Sequence, residues 1–331
     1  MSKFAALQVD RAGSQFSRAI VERETADLPA GDILIAVEYS SLNYKDALSA
    51  HGNPGVTRTF PHTPGIDAAG QVLESSSAAF APGDSVIVIG FDLGMGTAGG
   101  FGQRVRVPAE WVVAMPEGLS AERSMLLGTA GFTAALAVDK LEAVGMTPTQ
   151  GPVLVTGATG GVGSVAVMLL HKLGYEVVAV SGKAEREPWL RALGATDVWT
   201  RETLAEGADK PLLGETFGGA IDTVGGELLF NGIKRLRYGA SLAACGLVAS
   251  PAIPATVLPF ILRHVNLLGI DSVQLPLEEK ARIWRRLATE WALGPSLDEL
   301  KESLTLATLS EAIDRIYRGA MVGRGVVALR S

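Results

Sequence analysis

The sequence predicts an α/β protein of two domains, a β-barrel-like domain followed by a doubly wound parallel sheet. Three observations predict it. The chain has 331 residues, more than the roughly 100–200 that one compact domain usually holds. Up to about Pro116, short apolar runs are cut by Pro and Gly, as in Asp32-Ile33-Leu34-Ile35-Ala36-Val37-Glu38 and Pro82-Gly83-Asp84-Ser85-Val86-Ile87-Val88-Ile89-Gly90, which is the pattern of short β-strands. After Ser120 the style changes to Ala-rich helical stretches alternating with short buried strands, the βα rhythm of a parallel sheet with helices on both faces.

The second half can be read element by element. The strand Val153-Leu154-Val155 passes through glycines into a helix over about 162–172, and Glu176-Val177-Val178-Ala179-Val180 is the next strand. A helix over 186–193 stops at Gly194. Strands at Gly219-Ala220-Ile221-Asp222-Thr223-Val224 and Ala240-Ser241-Leu242-Ala243-Ala244-Cys245 follow, with a helix containing 231–237 between them. The tail supplies a helix near 309–318 and a strand at Gly325-Val326-Val327-Ala328-Leu329, with a composition suited to rejoining the first domain. The expected division is therefore residues 1–120 with 301–331 in one domain and 121–300 in the other.

Composition excludes several classes. With 47% hydrophobic and 19% charged residues the chain can bury a core, so disorder is not expected. A net charge of −6 argues against nucleic acid, whose backbone needs a basic face. The single cysteine, Cys245, permits neither an intrachain disulfide nor a multi-cysteine zinc site. The start lacks the apolar core of a signal peptide, so the cytoplasm is the expected compartment. The stretches 153–173 and 242–262 imitate membrane spans in hydropathy, but a glycine cluster breaks the first and Pro251, Pro254 and Pro259 break the second. Neither reads as a lipid-exposed helix.

The sharpest motif is Val155-Thr156-Gly157-Ala158-Thr159-Gly160-Gly161-Val162-Gly163 between a strand and a helix. Glycines there allow a tight turn and a close backbone approach to a pyrophosphate, which the helix N-terminus attracts. The bland alternative is a Gly-rich turn, and the strand-turn-helix-strand context weighs against it. At the end of the second strand, where an NAD site usually carries an acid for the ribose hydroxyls, stands Ser181-Gly182-Lys183. A hydroxyl, a turn and an ammonium suit a 2′-phosphate, which favours NADPH, the alternative being a solvated lysine at a helix start. Arg201 is a second candidate phosphate clamp.

With Ser40-Ser41-Leu42-Asn43-Tyr44-Lys45-Asp46 and Pro64-Gly65-Ile66-Asp67-Ala68-Ala69-Gly70 added to that motif, the chain resembles the quinone oxidoreductase branch of the medium-chain dehydrogenase/reductase family over nearly its whole length. Gly128-Thr129-Ala130-Gly131-Phe132-Thr133-Ala134, with the glycine turn and Ser181-Gly182-Lys183, is similar to one group within it, the bacterial NADPH-dependent acryloyl-CoA reductases. The resemblance implies a GroES-like domain carrying the substrate cleft, a Rossmann domain carrying NADPH, and a homodimer through Rossmann edge strands, here Val265-Asn266-Leu267-Leu268-Gly269-Ile270. The zinc-dependent relatives have Cys where Asn43 begins Asn43-Tyr44-Lys45-Asp46 and Gly-His-Glu where this chain has Gly65-Ile66-Asp67. Their four-cysteine lobe is also absent, so no metal is expected.

By position, the resemblance carries cofactor contacts to Tyr44, to Thr159, Gly160, Gly161 and Val162, and to Leu247, Ile261, Ser272 and Arg324. The alternatives are core packing for Leu247 and Ile261 and a surface turn for Arg324. The implied reaction delivers a hydride to the β-carbon of an enoyl thioester, with Tyr44 as the candidate functional side chain and Asn43 as its hydrogen-bonding neighbour. Asp67 is expected to order its loop rather than exchange protons. His51 and His62 read as solvated loop histidines, His171 and His264 as structural, and Lys45 and Arg58 as solvated more than as CoA-phosphate partners. Reduction of a quinone or a free enone, and NADPH binding without catalysis, remain open alternatives.

Overall fold

The computed structural model describes residues 2–330. The chain begins with the hairpin β1 (Lys3–Ala12) and β2 (Gln15–Glu24), then β3 (Ile33–Leu42), the short helix α1 (Tyr44–Ala50), β4 (Asp67–Ser75), β5 (Ser85–Ile89), β6 (Arg104–Val107) and β7 (Val112–Ala114). The helical stretch α2 (Ala121–Ala143) is interrupted at Gly128, whose φ of 54° and ψ of −162° lie outside helical space in a region essentially reserved for glycine. The middle of the chain alternates strictly: β8 (Val153–Thr156), α3 (Gly161–Lys172), β9 (Val177–Val180), α4 (Glu187–Ala192), β10 (Asp197–Trp199), α5 (Arg201–Ala205), β11 (Phe217–Asp222), α6 (Gly226–Lys234), β12 (Leu236–Ala244), α7 (Leu258–Arg263) and β13 (Asn266–Gly269). The tail supplies α8 (Leu277–Ala288), β14 (Lys301–Thr305), α9 (Leu306–Tyr317) and β15 (Arg324–Ala328).

Two compact units result: Met1–Thr129 with Val273–Thr289 and Asp298–Ser331, and Ala130–Ser272 with Glu290–Leu297. This differs from the sequence expectation at two places. The first boundary falls at the Gly128 break rather than near residue 120. Residues 273–289 belong to the first unit because α8 packs on β7 and the buried Lys280 ammonium donates to the carbonyls of Ile89 and Val273 at 2.8 and 2.9 Å.

In the first unit, β15 lies antiparallel to β3, which pairs with β4 and β6, and β4 leads on to β5 and β7. Both faces of β3 are used: Ile33, Ile35 and Val37 enter the main core, while Leu34 joins Phe4, Ala6 and Leu28 on the other side, as strand alternation requires. In the second unit the strand order β10-β9-β8-β11-β12-β13 is wholly parallel. Chain order reverses between β8 and β11, the switch point where doubly wound sheets bind ligands beyond their carboxyl ends. β8 and β9 are buried throughout, as strands covered on both faces must be. The helix expected over 231–237 ends at Lys234, because Leu236 already pairs with Phe217 and opens β12. No described helix is long and apolar enough to cross a membrane.

Candidate active site

In the second unit, β8 stops at Thr156 and the chain turns through Gly157, whose φ is 61°. A Cβ there would lie 2.2 Å from Thr223 Oγ1, so only glycine fits this turn. Gly160 precedes α3 without a side-chain cap. The first N–H groups of a helix have no intrahelical acceptor, and here they belong to partly exposed Gly161 and Val162 and to buried Gly163. Thr159 is buried, with Oγ1 3.4 Å from Ser181 Oγ at the end of β9. Ser181 Oγ accepts the Lys183 amide at 3.0 Å.

Beside that turn the Arg201 guanidinium lies against Gly182, where a Cβ would stand 2.8 Å from its Nε. Burial lowers the Lys183 ammonium from its ordinary value; Glu185 opposes the shift, and the cations Arg186 and Arg201 add to it. Cations held together favour a multiply charged anion, as do uncapped helix amides. The residues therefore fit a dinucleotide carrying a 2′-phosphate. Asp222, which sequence reasoning missed, ties the strand ends together. Its buried carboxylate accepts Thr156 Oγ1 at 2.6 Å, the Gly225 amide at 2.7 Å and the Val224 amide at 3.2 Å. Burial raises its pKa against those three hydrogen bonds.

Leu247 and Ile261 are 57% and 68% exposed, so the core-packing alternative fails for both. Ser272 is buried and accepts Thr133 Oγ1 at 2.9 Å. Burial, with the nearby Asp222 carboxylate, pushes the Cys245 thiol up to about 12, which leaves it protonated and inert.

In the first unit, Asn43 precedes α1 and Tyr44 opens it. The Asn43 backbone amide donates to Asp46 Oδ2 at 2.8 Å, and the Asn43 side chain makes further contacts. Its Nδ2 donates to Asp67 Oδ2 at 2.8 Å and its Oδ1 accepts Arg324 Nη1 at 3.2 Å. Asp67 also accepts the hydroxyls of Ser41 and Thr129 and, at 2.9 Å, the Thr129 amide. A Cβ on Gly128 would fall within 2.6 Å of Ser41 Oγ, Arg324 Nη2 and Asp67 Oδ2, so the helix break admits only glycine. Arg324 is buried, not on a surface turn. Its Nε donates to the Leu126 carbonyl at 3.1 Å and its Nη1 reaches the Leu42 carbonyl at 3.4 Å, while Nη2 has no hydrogen-bond partner among the described residues. Burial lowers its pKa against the pull of Asp67 and Asp46. Asp46 also accepts the Ile66 amide at 2.8 Å, and burial together with the Asp67 charge raises its pKa to about 7.

The histidines depart from the solvated reading. His62 is buried with Nε2 2.9 Å from the Gly94 carbonyl, and burial lowers its pKa. His51 is stacked on Tyr317. Arg58 is exposed, with Nε on the Pro54 carbonyl at 3.1 Å. Among the described residues no group of three or more His, Cys, Asp or Glu is placed to hold a metal ion.

A barrel-like unit with a buried polar hub, and a 3-2-1-4-5-6 parallel sheet with a glycine turn leading into an uncapped helix, together define a medium-chain dehydrogenase/reductase architecture. Residues 29–117 match the alcohol dehydrogenase GroES-like domain and residues 161–289 the zinc-binding dehydrogenase family. The chain is 45% identical over 329 residues to the acrylyl-CoA reductase AcuI of Ruegeria pomeroyi, spanning 98% of each chain. It is 42% identical over 326 residues to the putative quinone oxidoreductase YhfP of Bacillus subtilis, spanning 98% of this chain and 99% of that one. The crystal structure of YhfP with NAD bound superposes with a TM-score of 0.96, covering 99% of this chain and all of that one. The YhdH oxidoreductase of Salmonella enterica in complex with NADP superposes with a TM-score of 0.95 at 43% identity, covering 98% of this chain and all of that one. The chain belongs to the medium-chain dehydrogenase/reductase family.

Proposed function

We propose that this chain is an NADPH-dependent reductase of activated carbon–carbon double bonds, with acryloyl-CoA as substrate and propionyl-CoA as product. The observation that carries the reading is the 45% identity with the acrylyl-CoA reductase AcuI across 98% of both chains. Thr159, Gly160, Gly161 and Val162 would hold the pyrophosphate at the uncapped start of α3. Ser181, Gly182, Lys183 and Arg201 would hold the 2′-phosphate. When bound, NADPH supplies the hydride.

The remaining work falls to the protein's own groups. The Tyr44 phenol offers one O–H to the thioester carbonyl oxygen, which gathers negative charge as the β-carbon is reduced. Asn43, held by Asp67 and Arg324, fixes the start of α1 and with it the Tyr44 backbone. Arg324 acts through Asn43 in this reading. Leu247, Ile261 and Ser272 would border the nicotinamide end. The same reading makes the protein a cytoplasmic homodimer paired through β13, which stands at the sheet edge with Leu267 exposed.

The 42% identity to the putative quinone oxidoreductase YhfP supports a second reading with the same cofactor site and a quinone or free enone as acceptor. NADPH oxidation measured over concentration series of acryloyl-CoA, a simple quinone and free acrylate separates the two. Much higher kcat/KM with saturable acryloyl-CoA is expected, and a preference for the quinone would overturn the thioester assignment.

A further inference from the structure

Tyr317, the last residue of α9, is 43% exposed, and its ring lies nearly parallel to two others. The His51 ring is 3.9 Å away with an interplanar angle of 8°, and the Tyr44 ring is 6.5 Å away at 14°. Tyr44 opens α1 and His51 caps its other end, so one ring from the tail helix touches both ends of the helix that carries the proposed functional tyrosine.

Both ring nitrogens of His51 are held: Nδ1 is 2.8 Å from the Ala47 carbonyl and Nε2 is 3.2 Å from Asp314 Oδ1. Tied at both nitrogens, the ring is fixed against the Tyr317 face. Arg18 of β2 fixes Asp314 from the other side at 2.7 Å. Burial acts to raise the Asp314 carboxyl, but Arg18, His51 and Arg318 hold it below the usual carboxylate range. The groups facing Asp314 are thus His51, Arg18 from β2, and Arg318, which follows the end of α9.

We propose that Tyr317 and His51 are positioning residues for Tyr44, the stack holding its ring at the start of α1. The catalytic consequence rests on the reading that Tyr44 meets the substrate. The mechanical part does not. Without the Tyr317 ring, or without the His51 contact to Asp314 that anchors the stack, the stack loosens and the Tyr44 ring samples wider orientations.

The test follows the Tyr44 ring directly. Full-length protein is prepared with tyrosine rings labelled with 13C, and the Tyr44 signal is assigned by its absence from Y44F. The Tyr44 signal is expected to shift and to report wider ring motion in H51Q and in Y317A, and to keep its wild-type position in Y317F. Turnover of acryloyl-CoA should fall about 10-fold to 100-fold in Y317A, the scale on which misplacement of a reacting group acts. The Kd for NADPH should stay unchanged, and Y317F, which keeps the ring and serves as the folded reference, should restore the rate. A Tyr44 signal indifferent to both H51Q and Y317A overturns the proposal whatever the rates. A signal that responds as stated while kcat stays at the wild-type value supports the stack and overturns instead the reading that Tyr44 meets the substrate.

Discussion

Arg324 Nη1 meets Asn43 Oδ1 at 3.2 Å across 281 residues of sequence, and on its other side Asn43 Nδ2 donates to Asp67 Oδ2. The side chain that precedes α1 is thereby held between a buried cation and a buried anion. Removing one member of such a set leaves the others desolvated and unpaired, which typically costs about 3–5 kcal/mol. D67A should lower stability by that amount, measured by urea denaturation. D298A, whose carboxylate forms an exposed pair with Arg123, should change it by less than about 1 kcal/mol. Equal losses in the two variants would refute the hub.

The pH dependence of stability should carry a signature of Asp46. Burial and the Asp67 charge raise its native pKa to about 7 from 3.8. Between those values the native state keeps a proton that the unfolded chain has released, so stability falls as pH rises from about 4 to about 7 and levels off above. Three pH units at about 1.4 kcal/mol each set a ceiling of roughly 4 kcal/mol. In D46N this component is absent. Urea midpoints at pH 5, 6, 7 and 8 should therefore show the stability difference moving steadily in favour of D46N up to pH 7. A difference that is flat with pH would mean that the amides of Asn43 and Ile66 keep Asp46 ionised.

Local signals in the sequence were legible, and long-range ones were not. The glycine turn, β8, α3 and β9 could be read because strand, turn and helix are contiguous and each pattern fits within a dozen residues. The place of Ser181 and Lys183 directly after β9 was legible for the same reason. β14 was missed because only Leu304 of Lys301–Thr305 is buried, which leaves no alternation to detect. The helix before β12 was read too far because nothing between Lys234 and Gly239 breaks a helical pattern; pairing with β11 ends it. The Tyr317 stack and the place of Arg324 were out of reach, since each depends on α9 and β15 returning to the first unit in a register that no local pattern encodes.

The proposed dimer depends on an edge that is open in the single chain. β13 pairs with β12 on one side only, and Leu267 within it is 37% exposed. Charge on an edge strand is the usual bar to strand-to-strand association. L267K should shift the protein from dimer to monomer in analytical ultracentrifugation while leaving the parallel sheet intact by circular dichroism. A wild-type protein that sediments as a monomer at micromolar concentration would remove the dimer from the reading.

In the proposed reading, cofactor choice turns on Lys183 and Arg201. Without a ligand the two cations disfavour one another, and burial adds to the cost of charge on Lys183. A 2′-phosphate between them would reverse the sign of that interaction. Charge-assisted hydrogen bonds of this kind are worth about 1.5–3 kcal/mol, or roughly 10-fold to 100-fold in affinity. K183E should weaken NADPH by at least that factor, since it adds repulsion to the lost contact, while NADH, which lacks the phosphate, should change far less. R201A should show the same asymmetry to a smaller degree, because Arg201 is exposed and water screens it. Isothermal titration of both nucleotides against the three proteins decides the matter, and raising the salt concentration should narrow the NADPH gap while leaving the NADH values in place. If K183E weakened both nucleotides equally, Lys183 would serve the shared part of the cofactor, and the preference for a 2′-phosphate would have to come from elsewhere in the turn.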